Sequence, residues 1–169
     1  MVPILTMRTF SEERKNGTEI LLLTSPRSVT SIVLGKFLAA AFVVLIATFS
    51  TLIYYFILKF FAKPQFASSI VSIIGISLLA LAYVSFGMFA SSITENQVIA
   101  AVVSIGFFIL TWLLPNMISS LSDFSLIDAF GNSFIKGTIS IANLVLLISF
   151  IVMFLLFTIM VLQRRKLVK

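Results

Sequence analysis

The chain of 169 residues contains no cysteine and no histidine. The absence of cysteine excludes disulfides, thiolate metal sites and cysteine nucleophiles. The absence of histidine removes the commonest general base and the commonest transition-metal ligand. Catalysis and metal binding that depend on a thiolate or an imidazole are therefore excluded for this chain.

Charge is also scarce, since only 11% of the residues are charged while 60% are hydrophobic. A soluble domain of this size buries only about two thirds of the surface of its unfolded chain. It could not hide so many apolar side chains from water. The composition therefore predicts a membrane protein.

Four long runs of the sequence lack charged residues, and each is at least as long as the roughly 20 residues that a helix needs to cross the hydrocarbon core. These runs are apolar on all faces and show no period of two, which favours helices over a barrel. We predict an all-α membrane protein, a polytopic bundle of four transmembrane helices. The predicted spans are 37–58, 66–90, 97–118 and 138–162.

The basic residues indicate the orientation of these spans. Nine lie before the first span or after the last, and three lie on the opposite side. The positive-inside rule then places both termini in the cytoplasm, in a multi-pass protein of the inner membrane. Residues 164–169 form a basic cytoplasmic tail, and the external segment 119–137 is expected to fold as short re-entrant or surface helices.

Seven of the 18 charged residues lie in residues 1–35, which we call the elbow. Its pattern predicts a first helical piece at 8–15 that ends at Gly17, since glycine accepts the left-handed conformation. Thr18 is expected to cap a second piece at 19–23. Ser25 and Pro26 are expected to start the helix that enters the membrane. Mixed charge on such an element suits a docking surface, although a solvated loop that only fixes topology explains the bases equally well.

The elbow sequence is also familiar. The segment that starts at Pro3 reads PILTMRTFSEERKNGTEILLLTSPRSVTSIVLGKFLAA. It resembles the cytoplasmic signature of ABC-2 type transporter permeases, particularly the branch of gliding-motility and multicopper-enzyme-maturation permeases. The segment FGNSFIKGTISIANLVLLISFIVMFLLFTIMVLQRRK, at 130–166, resembles the last part of the same family.

The resemblance implies a permease subunit, active as a homodimer or related heterodimer, that exports a substrate with a separate ABC ATPase. The elbow would sit in a cleft of that ATPase. The coupling role would fall on the residues that match the family pattern there, namely Glu12, Glu13, Arg14, Gly17, Thr18 and Glu19. Family members usually have a helical hairpin before the elbow, so residues 1–7 are expected to be the tail of a missing helix.

A phosphate-binding loop of the form GxxxxGK[ST] is absent. Gly35 and Lys36 fit its end, but Thr30 stands in place of the first glycine and Phe37 in place of the hydroxyl residue. We therefore expect no cofactor on this chain and ATP hydrolysis only in a partner. Lys36 is expected to be an interfacial lysine that reaches toward lipid headgroups.

Alternative functions remain open at this point. A small proton-coupled multidrug exporter needs a protonatable residue deep in the membrane, and the predicted spans contain none. A non-transporting scaffold or assembly protein would use the charged elbow to recruit a different partner. Nucleic-acid binding is not expected, because the basic residues are not interleaved with stacking aromatics on a soluble surface.

The second predicted span has a row of small residues. Gly75, Tyr83 and Gly87 recur at multiples of four residues, with Ser72 and Ser85 nearby. Small residues let helix backbones approach closely in membranes. We expect a packing face, with the lining of a transport path as the alternative.

Overall fold

The computed structural model describes residues 1–25, 27–61, 66–117, 126–134 and 140–168. Within these ranges every regular element is a helix, which confirms the predicted all-helical class. The helices are α1 (Val2–Thr6), α2 (Ser11–Lys15), α3 (Glu19–Thr24), α4 (Val29–Ser50), α5 (Leu52–Phe61), α6 (Phe66–Ile93), α7 (Gln97–Met117), α8 (Leu126–Ala129) and α9 (Ile141–Val168). A π-helical segment, Phe130–Phe134, follows α8.

Three helical stretches are long and apolar enough to cross a membrane, namely Val29–Phe61, Ala67–Ile93 and Ile141–Leu167. The apolar part of α7, Gln97–Leu113, is shorter. The structure therefore supports three spans, and the span at 97–118 stays a prediction. Large apolar side chains are exposed along α4, α5, α7 and α9, as expected of helices that face lipid.

The start of the helix that enters the membrane differs from the prediction. Helix α4 begins at Val29, three residues after the predicted start at Pro26, and Ser28 caps it by accepting a hydrogen bond from the Ser31 amide at 3.3 Å. The predicted cap at Ser25 is wrong, because the hydroxyl of Ser25 accepts instead from the Arg27 amide at the end of α3. Pro26 lies outside the described residues.

Helix α6 lies at the centre of the bundle. It packs against α1, α4, α7, α9 and the π-helical segment. Phenylalanine rings join it to two of these helices. Phe86 of α6 stacks on Phe107 of α7, with 3.7 Å between the ring centroids, and Phe154 of α9 lies edge-on to Phe86, with 5.1 Å between the centroids. Helix α6 also ends later than predicted, at Ile93 rather than Ala90, because Ser91 and Ser92 are buried and continue the helix.

Both glycines of the predicted small-residue face lie under a neighbouring segment. A methyl group on Gly87 would overlap the side chain of Thr6 in α1, and one on Gly75 would overlap Phe134 of the π-helical segment. Ser72 adds a hydrogen bond from its hydroxyl to the Phe134 carbonyl at 2.9 Å. The prediction of a packing face is therefore confirmed at both glycines.

The described part of the predicted external segment is not a surface element. Leu126 and Phe134 are almost fully buried, in a cluster with Ala82 of α6 and Leu147 of α9. Of the two alternatives, residues 126–134 fit a re-entrant element better than a surface helix. The remainder of 119–137 falls outside the described residues.

Candidate coupling elbow

The elbow folds as three short helices joined by tight turns. Gly17 has φ of +72°, in the left-handed region, and ends α2 as predicted. Helix α2 begins only at Ser11, because residues 7–10 form turns rather than helix. Thr18 occupies the N-cap position of α3 as predicted, but its side chain makes no capping hydrogen bond there. Its hydroxyl donates instead to the Glu13 carbonyl at 3.2 Å and closes the turn between α2 and α3.

Ser91 of α6 holds the start of α2. Its hydroxyl accepts hydrogen bonds from the amides of Phe10 and Ser11, at 3.1 and 3.0 Å, and donates to the Met7 carbonyl at 3.0 Å. The first amides of a helix have no partner within the helix itself. The buried hydroxyl of Ser91, from another helix, therefore caps the N-terminus of α2 in place of a local residue.

Lys36 connects the elbow to α4. Its ammonium group pairs with Glu13 Oε2 at 2.5 Å, donates to the Thr9 carbonyl, and lies 4.5 Å from the centroid of the Phe10 ring. The prediction that Lys36 reaches toward lipid headgroups is therefore wrong. The attraction of a carboxylate, a carbonyl and an aromatic face turns it toward the elbow.

Arg14 connects α2 to the end of α6. One guanidinium nitrogen, Nη2, lies 2.6 Å from Glu95 Oε1, and Nη1 donates to the Ile93 carbonyl at 2.9 Å. Ile93 is the last residue of α6, where carbonyls lack partners within the helix. Arg14 therefore satisfies a backbone acceptor and pairs with the acid in the turn that leads to α7.

Arg165 connects α3 to the end of α9. Its Nη1 donates to Glu19 Oε1 at 3.1 Å, and its Nη2 donates to the same Ile93 carbonyl at 3.4 Å. Glu19 is 8% exposed, so this pair is largely sheltered from water. Two arginines from distant parts of the chain thus meet at one carbonyl.

A cavity of about 560 Å³ lies between the elbow and the ends of these helices. Three arginines and two glutamates contribute to its walls. The lining residues are Arg14, Gly17, Glu19, Ile20, Glu95, Arg164 and Arg165. In the described part of the chain, groups of three or more residues suited to hold a metal ion were not found.

Comparison with protein families gives a match over nearly the whole chain. The family described as ABC-2 family transporter protein matches residues 3–167. The chain belongs to the ABC-2 transporter family. This confirms the resemblance at the family level, while the gliding-motility branch stays a prediction. Comparison with curated proteins and comparison with solved structures each gave no match.

Membership makes the chain the membrane domain of an ABC-2 transporter, a permease-type subunit. ABC-2 permeases generally work with an ABC ATPase subunit. The six residues predicted for contact with such a partner differ in their surroundings. Glu13, Arg14 and Glu19 turn inward and pair with other parts of the bundle. Gly17 and Thr18 are exposed, and Glu12 is partly exposed.

Residues 15–18 form an exposed patch that we call the tip. Glu12 lies beside the tip, is partly exposed, and makes no ion pair within the described residues. Sequence reasoning missed the inward partners, namely Lys36, Ser91, Glu95 and Arg165. In the sequence, the basic partners Lys36 and Arg165 look like residues that only set the topology. The pairing of Glu19 with a residue 146 positions away leaves no local pattern.

Proposed function

We propose that the chain is the permease subunit of an ABC-2 exporter, driven by a separate ATPase that binds the tip of the elbow. The chain itself binds no cofactor, and ATP acts through the partner. The subunit works as a homodimer or a related heterodimer, with both termini on the cytoplasmic side of the inner membrane. The ATPase-facing residues are Glu12, Gly17 and Thr18.

One observation carries this proposal. Glu13, Arg14 and Glu19 lie within one short segment, yet they bond to α4, to the end of α6 with the following turn, and to α9, respectively. A displacement of the tip would therefore be passed to several membrane helices at once.

The exposed residues of the tip support the same proposal, in which a displacement starts at the tip and passes to the membrane helices. The tip offers an ammonium group at Lys15, an amide at Asn16 and a hydroxyl at Thr18 to the surroundings. Polar and charged groups on a short structured element give a partner specificity and register. The inward residues need no external partner, since each already has one.

The test is recovery of the full-length chain from native membranes in mild detergent, followed by mass spectrometry and an ATPase assay. We expect an ABC ATPase to co-purify and its hydrolysis to depend on the permease. Glu12→Lys should abolish this association, because it reverses a charge beside the tip without breaking an internal pair. Lys59→Glu, a reversal on α5, is the matched control and should leave association intact.

Two results would count against the proposal. Recovery of the chain without an ATPase, or with a different protein in its place, would favour the scaffold function. Equal association by the Glu12→Lys and wild-type chains would remove the tip region from the contact. Membrane insertion of each variant is checked by its resistance to alkaline extraction.

A further inference from the structure

The sequence suggests one route from the elbow into the membrane, through the covalent link to α4. The contacts indicate a second route. Among the hydrogen bonds and ion pairs of the described residues, α3 is connected to a membrane helix through Glu19 and Arg165 alone. Thr18 and Thr24, the other polar side chains at its ends, bond within the elbow.

The environment of this pair favours a specific contact over a chance surface pairing. The side chain of Glu19 is 11% exposed and that of Arg165 is 23% exposed. Removal of one partner from a sheltered ion pair leaves the other charge uncompensated. Arg164, the preceding residue, is exposed and lines the same cavity without an ion pair to any described residue. The two adjacent arginines therefore carry the same charge at neighbouring positions, but only Arg165 is oriented toward Glu19.

Arg165 also bonds to the centre of the bundle. Its second nitrogen reaches the Ile93 carbonyl, which Arg14 of α2 also contacts. The guanidinium group is a planar fork that holds two acceptors in fixed directions, which the ammonium group of lysine cannot do. One side chain therefore joins α3, the end of α6 and the end of α9.

We propose that Arg165 is a positioning residue that makes α9 follow the elbow. Its fork keeps α3 at a fixed position against the ends of α6 and α9. When the tip moves, the pair with Glu19 draws the end of α9 with it, and α6 moves too because it packs along α9. The basic tail then has a mechanical role in addition to its part in topology. The coupling aspect of this inference rests on the proposed function, but the position of α3 does not.

The first test measures the position of the elbow in the chain alone. The sequence has no cysteine, so Asn16→Cys and Gln163→Cys, both at exposed positions, add one spin label to the elbow and one to α9. Pulsed electron resonance in lipid bilayers, with the labelled chain diluted into an excess of unlabelled chain, then gives the distribution of their separation within one chain. We expect a single narrow distribution for the parent chain and for Arg164→Ala.

Arg165→Ala should broaden that distribution. Glu19→Gln removes the other partner of the same ion pair and should broaden it as well. Arg165→Lys keeps the charge but loses the fork, so it should give an intermediate width. If Arg165→Ala does not insert, Glu19→Gln tests the same joint without removing the arginine. Distributions for Arg165→Ala and Glu19→Gln that match the one for Arg164→Ala would overturn the inference.

The second test uses the complex with the ATPase. Arg165→Ala should retain the ATPase but lower the hydrolysis that the permease stimulates by about fivefold to tenfold, a typical size for coupling between two sites. The Arg164→Ala complex should match the wild type. Full stimulation in Arg165→Ala would also overturn the inference. If the wild-type chain binds no ATPase, the proposed function fails, and the label distances still decide whether Arg165 positions the elbow.

Discussion

Two regions of α6 hold neighbouring segments in different ways. Near Ile93, helices α2 and α3 of the elbow are attached by ion pairs and by hydrogen bonds between side chains and the backbone. Near Gly75 the segment 126–134 is attached mainly by apolar packing, with Phe134 fully buried over the glycine. The two sites are about 27 Å apart along the helix, at 1.5 Å per residue.

The difference shows which of the two attachments is suited to follow a movement. A gap of about 0.5–1 Å already forfeits a quarter to a half of the energy of a packing contact, so an element held by packing has one preferred position. Ion pairs act over longer distances and re-form after displacement. We therefore interpret α2 and α3 as the attachment that can follow the movement of a partner while it stays bonded to the membrane helices, and segment 126–134 as the fixed attachment. The variants below change one attachment at a time, from the largest expected effect to the smallest.

Phe134→Ala removes the main contact of the fixed attachment. We expect a loss of about 3–5 kcal/mol in the free energy of unfolding, the usual cost of truncating a buried phenylalanine. Unfolding in mixed micelles, followed by the fluorescence of the single tryptophan, measures it. ATPase binding by the folded fraction should be unchanged. A loss below about 1 kcal/mol would contradict the view that this segment is held by packing.

Ser91→Ala removes the side chain that holds the start of α2. The amides of Phe10 and Ser11 would lose their partner in a buried site. This lowers the free energy that keeps the start of α2 attached to α6 by about 1–3 kcal/mol. We expect faster tryptic cleavage at Lys15 with little change in global unfolding. Ser92→Ala is the matched control, because Ser92 is equally buried but bonds only to Phe89 one turn earlier in its own helix. Equal cleavage of the two variants would show that Ser91 does not hold the elbow.

Gly75→Ala tests the fixed attachment with a single methyl group. The added carbon would overlap the Cβ and Cγ of Phe134, which lie too near the backbone to move freely. Overpacking of this kind typically costs about 1–3 kcal/mol of unfolding free energy, and we expect the lower half of that range. Gly106→Ala is the control, since a methyl group there meets nothing within 4 Å. The prediction fails if both variants unfold at the same denaturant concentration.

Glu13→Gln should have the smallest effect on stability. It weakens the pair with Lys36, whose two side chains are 29% and 22% exposed, and pairs of this kind contribute up to about 1 kcal/mol. We expect slightly faster cleavage at Lys15, with the difference from wild type shrinking at high salt. Glu12→Gln, which breaks no ion pair, is the control. A difference from wild type that does not depend on salt would contradict an ionic attachment.

Much of the fold was predictable from sequence because the membrane imposes it. Uncharged runs of spanning length predicted α6 and α9 closely. Gly17 was recognised because glycine accepts a positive φ, and the small-residue face because only small residues let a neighbouring segment approach. The start of α4 was misplaced, since Ser25 and Ser28 look alike until their hydrogen bonds are known.

The elbow was recognised as an element, but its inward contacts were not. Glu13, Arg14 and Glu19 were predicted to contact a partner protein, and in the structure each pairs with a residue elsewhere in the chain that the sequence did not indicate. A charge pattern shows that charges are concentrated, and it does not show which ones pair across the fold. Ser91 was equally hidden, because a serine in an apolar run usually bonds to its own helix.

The central claim is that the tip of the elbow contacts an ATPase. The most direct measurement is photo-crosslinking in native membranes, with a photoreactive amino acid at Lys15 in the exposed tip, and at Ser11, which is fully buried against α6. We predict an adduct with an ABC ATPase from position 15 and none from position 11. Absence of an ATPase adduct from position 15, with the chain correctly inserted, would contradict the account.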